Sequence, residues 1–97
     1  VPDAVSTPEL KIELKEGEQL PFMKRFLERA HFPGAELTTI DGLRADFQDG
    51  WGLVRSSNTT PSLVLRFEAD TAEALKRIQE QFRSLLLELN PDLTLPF

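Results

Sequence analysis

Cysteine is absent from the chain, and with it go disulfide staples, cysteine-ligated zinc and every mechanism that starts from a thiolate. Histidine occurs once, so a metal site would have to be built from carboxylates. Tyr is missing, and Trp and Met appear once each. Basic residues are outnumbered 11 to 16 by acidic ones, and the net charge of -5 argues against non-specific binding to a nucleic acid backbone or an anionic membrane. No apolar run approaches the ~18 residues of a membrane-spanning helix, and the start lacks the basic-then-apolar order of a signal peptide. The compartment these absences predict is the cytosol, with no nucleic acid and no membrane as partner.

What is present is the composition of a folded domain. The 97 residues are 40% hydrophobic and 28% charged and include seven Phe, enough for one core and too few for two. The chain opens on Val1 and not Met, and Val1 to Pro8 carries two prolines and no periodic apolar pattern. Residues 1–8 are therefore expected to be an interdomain linker or hinge, and 9–97 a single domain of a longer polypeptide.

Alternation of Leu10, Ile12 and Leu14 with Lys11, Glu13 and Lys15 predicts a strand with one buried face. From Glu18 to His31 the positions Phe22, Met23, Phe26, Leu27 and Ala30 recur at spacings of three and four, which predicts a helix with Pro21 in its first turn. A meander follows over Glu36 to Ile40, Leu43 to Phe47 and Trp51 to Arg55, with Asp41-Gly42 and Asp49-Gly50 as turn dipeptides. Leu63, Leu65, Phe67 and Ala69 mark a further strand, and Leu75, Ile78, Phe82, Leu85, Leu86 and Leu89 mark a long last helix, capped by Asp70 and Glu73 and ended by Asn90-Pro91. The order predicts an α+β fold, an antiparallel sheet of four to five strands with two helices on one face.

The segment Arg55-Ser56-Ser57-Asn58-Thr59-Thr60-Pro61 gathers a guanidinium, four hydroxyls and an amide at a strand end. Such a set suits a phosphate, which accepts charge-assisted hydrogen bonds from Arg and from hydroxyl and backbone donors. The same residues also serve as ordinary turn formers, and composition alone leaves both roles open. His31 suits the end of the first helix, where a ring covers the last carbonyls. Trp51 suits packing on the sheet, and Arg44 and Arg66 suit pairing with acids on neighbouring strands while adding positive potential near the loop. Among Asp41, Asp46, Asp49, Glu68 and Asp70 no tight ligand spacing occurs, so no metal residue and no catalytic residue is assigned.

Taken together, Asp41-Gly42-Leu43-Arg44, Asp49-Gly50-Trp51-Gly52-Leu53-Val54-Arg55-Ser56-Ser57-Asn58-Thr59-Thr60-Pro61 and Arg66-Phe67-Glu68-Ala69 resemble the C-terminal, fourth domain of the alpha-D-phosphohexomutases, nearest to the bacterial phosphomannomutase/phosphoglucomutase branch. The resemblance implies a fold similar to the TATA-box-binding protein, without DNA binding. It implies that Arg55, Ser57, Asn58 and Thr59 contact the phosphate of a phosphosugar substrate at the end remote from the reacting one. Thr60 stands where many members carry Glu, which fits that branch. A phosphoserine segment, a magnesium-binding Asp cluster and a sugar-reading loop belong to the other three domains in this family, and none of them is in this chain. Mg2+ and a glucose 1,6-bisphosphate activator are accordingly expected in the full-length enzyme, and no cofactor on this domain. The competing expectation is a free-standing module that binds a phosphorylated ligand or a protein without catalysis.

Overall fold

The computed structural model describes residues 4–40, 42–57 and 59–97. In chain order the elements are β1 (Val5–Ser6), β2 (Leu10–Glu13), α1 (Gln19–Arg29), β3 (Glu36–Thr38), β4 (Leu43–Phe47), β5 (Gly50–Ser56), β6 (Ser62–Ala69) and α2 (Ala72–Leu89). All six strands join one antiparallel sheet in the order β1-β6-β5-β4-β3, with β2 also on β6.

The sheet has six strands and not four to five because the free edge of β6 is covered by two short strands in tandem. Val5 and Ser6 pair with Ala69 and Glu68, and Leu10 to Glu13 pair with Leu65 to Ser62. Pro8, which has no N–H to give a ladder, falls between them. Thr7 keeps the two in line, its N–H donating to the Phe67 carbonyl at 3.0 Å and its Oγ1 accepting from the Phe67 N–H at 3.2 Å. Part of the segment expected as linker, 1–8, is thus paired into the sheet.

Alternation puts Leu43, Ala45, Val54, Leu63, Leu65, Phe67 and Ala69 on the face that both helices cover, and all are buried. From α1 come Phe22, Met23 and Phe26, and from α2 Ala74, Ile78, Phe82, Leu85 and Leu86, the stripes that the three- and four-residue spacing predicts. Three local expectations are corrected. The cap of α2 is Thr71, whose Oγ1 accepts from the Ala74 N–H at 3.1 Å, one residue after the expected Asp70. The turn between β4 and β5 is Gln48-Asp49, because Gly50 is already paired with Phe47 in the ladder. His31 is exposed, and α1 is closed instead by the Ala30 N–H on the Leu27 carbonyl, with Arg29 in the last turn.

The centre of the core is aromatic. The Phe82 ring lies 4.6 Å from Phe32, 6.2 Å from Phe26 and 5.2 Å from Phe67 between centroids, the last pair edge-to-face at 83°. It reaches that place because Gly52 beneath it has no side chain: a Cβ there would stand 2.5 Å from Phe82 Cε1. At the rim of the same layer, Arg77 of α2 bonds Asp49 in the β4–β5 turn, and the Asp70 N–H donates to the Asp49 carbonyl at 2.8 Å.

Gly52→Ala should destabilise the chain by about 1 to 3 kcal/mol through overpacking, read from chemical denaturation. Trimming the ring in Gly52→Ala/Phe82→Leu should return part of that loss, and strictly additive effects would refute the contact as its cause. The hydrogen bond from Arg77 holds the Asp49 carboxyl below its ordinary 3.8. A carboxyl whose folded pKa is depressed stabilises the fold above its unfolded value, and that contribution disappears as the pH falls through the folded value. Asp49→Asn should therefore cost a little stability at neutral pH and flatten the melting-temperature curve below about pH 4, where the parent chain is expected to decline.

Candidate anion-binding loop

β5 and β6 run side by side from Gly50↔Ala69 to Ser56↔Leu63, so residues 57–61 form the tip of a long, well-paired hairpin. Its base is closed by the Ser57 N–H donating to the Ser62 carbonyl at 2.8 Å and by the Ser62 N–H donating to the Thr60 carbonyl at 2.8 Å. The Leu14 N–H, just beyond β2, donates to the Pro61 carbonyl at 2.8 Å and ties the tip to the neighbouring strand.

Of the four site residues read from the sequence, three lie in the described part and one, Asn58, lies outside the described residues. Arg55 is the last outward-pointing residue of β5 and is exposed; Ser57 follows at the base of the tip, half-buried; Thr59 is exposed at its far side. Ser57 Oγ is the hub. It accepts from the Thr59 and Thr60 N–H groups at 3.3 Å each and from Thr60 Oγ1 at 3.2 Å, and it lies 3.4 Å from Thr59 Oγ1.

Arg55 owes its position to the turn before β4. Asp41 lies outside the described residues, but Gly42 has φ +133°, and a Cβ there would run into the Val54 carbonyl and stand 2.8 Å from Arg55 Cβ. The backbone of that turn therefore lies directly against the residue that presents the guanidinium.

Among the described residues Arg55 has no carboxylate partner, in contrast to Arg44. Arg44 Nε bonds both oxygens of Asp46 at 3.0 and 3.2 Å, and its guanidinium sits 4.5 Å from the Trp51 ring centroid. Trp51 packs on the sheet as the sequence suggests, one face of its ring occupied by the arginine, whereas Arg44 pairs with an acid two residues along its own strand and not with one on a neighbouring strand.

Strand register adds what the sequence alone did not display. On the face without helices, Arg44, Leu53 and Arg66 lie in one cross-strand row, and Arg55, Val64 and Lys11 lie in the next. Four cations in two adjacent rows, separated only by Leu53 and Val64, lead to the loop. The acids Glu36, Asp46 and Glu68 share a row farther from it with Trp51. An anion near the tip meets these four cations and, among the described residues, the acid Glu13 opposite Ser62, a local balance that is positive despite the net charge of -5.

Other concavities are less suited to chemistry. A groove of about 680 Å3 between β2 and the C-terminal tail mixes Lys11 and Lys15 with Glu13, Glu18 and Asp92, so no one charge is favoured. Among the described residues no group of three or more His, Cys, Asp or Glu is placed to hold a metal ion, and no helix is long and apolar enough to cross a membrane.

Comparison with known proteins gives one consistent family. Residues 9–85 match the family model described as phosphoglucomutase/phosphomannomutase, C-terminal domain. A phosphoglucomutase from Neisseria meningitidis serogroup B is 54% identical over 98 residues, and a phosphomannomutase/phosphoglucomutase from Pseudomonas putida is 49% identical over 96; each match covers 99% of this chain and 21% of the relative. The crystal structure of a phosphoglucomutase/phosphomannomutase family protein from Burkholderia thailandensis superposes with a TM-score of 0.85 at 49% identity, over 99% of this chain and 20% of that one. The chain thus spans about a fifth of the length of these relatives.

Proposed function

The chain belongs to the phosphoglucomutase/phosphomannomutase family as its C-terminal domain, and from that premise we propose that it binds the substrate phosphate of a phosphohexomutase through Arg55, Ser57, Asn58 and Thr59. The observation that carries the reading is the exposed Arg55, without a carboxylate partner among the described residues, beside a cluster of the Ser57, Thr59 and Thr60 hydroxyls. A phosphate dianion accepts hydrogen bonds and donates none, so a site made wholly of donors selects it by charge and tetrahedral shape.

Indifference to the carbon skeleton is what a mutase requires. In the proposed cycle a phosphoserine elsewhere in the polypeptide gives its phosphoryl group to the free hydroxyl of a 1- or 6-phosphosugar. The new P–O bond forms as the serine P–O bond breaks, and the hydroxyl proton is passed on to the solvent or a base. The 1,6-bisphosphate turns over and returns its other phosphate to the serine. The clamp holds whichever phosphate is remote from the serine in each half. Arg55 neutralises its charge, Ser57 and Thr59 fix its oxygens, and closure of the domain keeps water from the phosphoenzyme.

The phosphoserine, the Mg2+ that assists its transfer and the groups that read the sugar belong, in this reading, to three preceding domains, as does the place where a glucose 1,6-bisphosphate activator enters. Residues 1–8 connect to those domains as linker and hinge, with Val5 and Ser6 fixed to β6. The substrates are cytosolic metabolites, and neither nucleic acid nor membrane is a partner.

The 97-residue chain alone should convert no glucose 1-phosphate when supplied with Mg2+ and glucose 1,6-bisphosphate; turnover above a heat-killed control would overturn the division of labour. In the parent enzyme, Arg55→Ala should weaken phosphosugar binding by about 1.5 to 3 kcal/mol, roughly ten- to a hundred-fold, through loss of a charge-assisted contact. The melting temperature of the mutant domain should barely move, since Arg55 is exposed. Unchanged affinity with a large drop in melting temperature would mean a structural role instead.

A further inference from the structure

Behind the tip lies the sole buried polar side chain of the described residues. Ser62 is 4% exposed, and its Oγ lies 2.8 Å from Thr60 Oγ1. A hydroxyl carries a single proton, so the direction of each bond in a chain of hydroxyls follows from its neighbours. Thr60 Oγ1 spends its proton on Ser57 Oγ at 3.2 Å. The bond between Thr60 and Ser62 must then be given by Ser62. Ser57 Oγ, with three incoming donors at 3.2 to 3.3 Å, has no lone pair to offer a ligand and only its own proton to give. That proton has two places to go, Thr59 Oγ1 at 3.4 Å or an anion at the rim.

We infer that Thr60 and Ser62 are positioning residues of the phosphate site: a relay running Ser62 to Thr60 to Ser57 is oriented from its buried end and makes Ser57 present a donor to the bound phosphate. The inference rests on the phosphate reading of the loop. It assigns a task to two side chains that need not touch the substrate. Without Thr60 Oγ1 the Ser57 oxygen keeps only the two backbone donors at 3.3 Å, and its hydroxyl is held less firmly in the orientation that aims the proton at the anion. Aligned in advance, the group loses no rotational freedom when the anion arrives.

Thr60→Val removes the middle hydroxyl and keeps the side-chain shape, and Thr60→Ser keeps the hydroxyl and removes the methyl group. The 97-residue chain and its Thr60→Val, Thr60→Ser and Arg55→Ala variants are titrated with inorganic phosphate, following the amide signals of the loop by NMR, and melted in parallel. Thr60→Val should raise the Kd about tenfold and lower the melting temperature modestly while the chain stays folded, because the buried Ser62 hydroxyl loses its partner, and Thr60→Ser should bind and melt as the parent does. Thr60→Val binding as tightly as the parent, with Arg55→Ala still impaired, would overturn the relay and leave the phosphate site standing. Thr60→Ser as weak as Thr60→Val would also overturn it, since the methyl group and not the hydroxyl would then matter. No loop shift with phosphate, or equal affinity in Arg55→Ala, would sink the phosphate reading and the relay with it.

Discussion

The contact between the Phe82 ring and the bare backbone of Gly52 sets the distance between the two layers of this protein. With Phe82 seated on β5, α2 lies across β5 and β6 at the closest approach its backbone permits, and Phe26, Phe32 and Phe67 close around the same ring. Burial of four phenyl groups in one cluster supplies stability that the absence of disulfides requires from packing alone. It also makes β5 and β6 the stiffest part of the sheet, and the hairpin tip between them inherits that stiffness. Precise placement of a few donors is easier on such a pair of strands than on an open loop.

Because both helices take the same side, the other side of the sheet carries the polar half of every strand. Strand register then sorts its charges by row. Three arginines and a lysine occupy two rows near the tip, Glu36, Asp46 and Glu68 share a row farther away, and Glu13, opposite Ser62, is the acid beside the tip itself. Arg44 illustrates how the same residue type is given different work. Locked between Asp46 and Trp51, it serves the sheet, whereas Arg55 at the strand end has no carboxylate partner among the described residues.

Much of this architecture was legible in residue periodicity. Alternation from Leu63 to Ala69 and the stripe from Leu75 to Leu89 named the core faces, since those periods reflect which side chains must leave water. What escaped was decided by single hydrogen bonds or by pairing partners. Thr71 and Asp70 are equally good caps by residue type, and only backbone conformation chooses Thr71. Val5 and Ser6 form a strand because β6 has an edge to offer them, a fact that lies in residues 68 and 69 and not in their own. Arg55, Ser57 and Thr59 stood out by composition, while Ser62 reads in sequence as the first residue of a strand. Its burial and its bond to Thr60 become visible only when the hairpin is closed.

β6 joins the two ends of the molecule that matter to its parent. Its Ala69 end is paired with Val5, where the chain enters, and its Ser62 end issues from the tip. Seven steps of extended backbone separate them, roughly 23 Å at ~3.3 Å per residue. β6 therefore acts as a lever arm. Turning the domain by about 10° at its entry sweeps the tip through roughly 4 Å on an arm of that length, more than a hydrogen bond's reach. If the tip holds the substrate phosphate as proposed, a small change of angle at the Val5 end would be enough to engage or release it, without any rearrangement inside the domain.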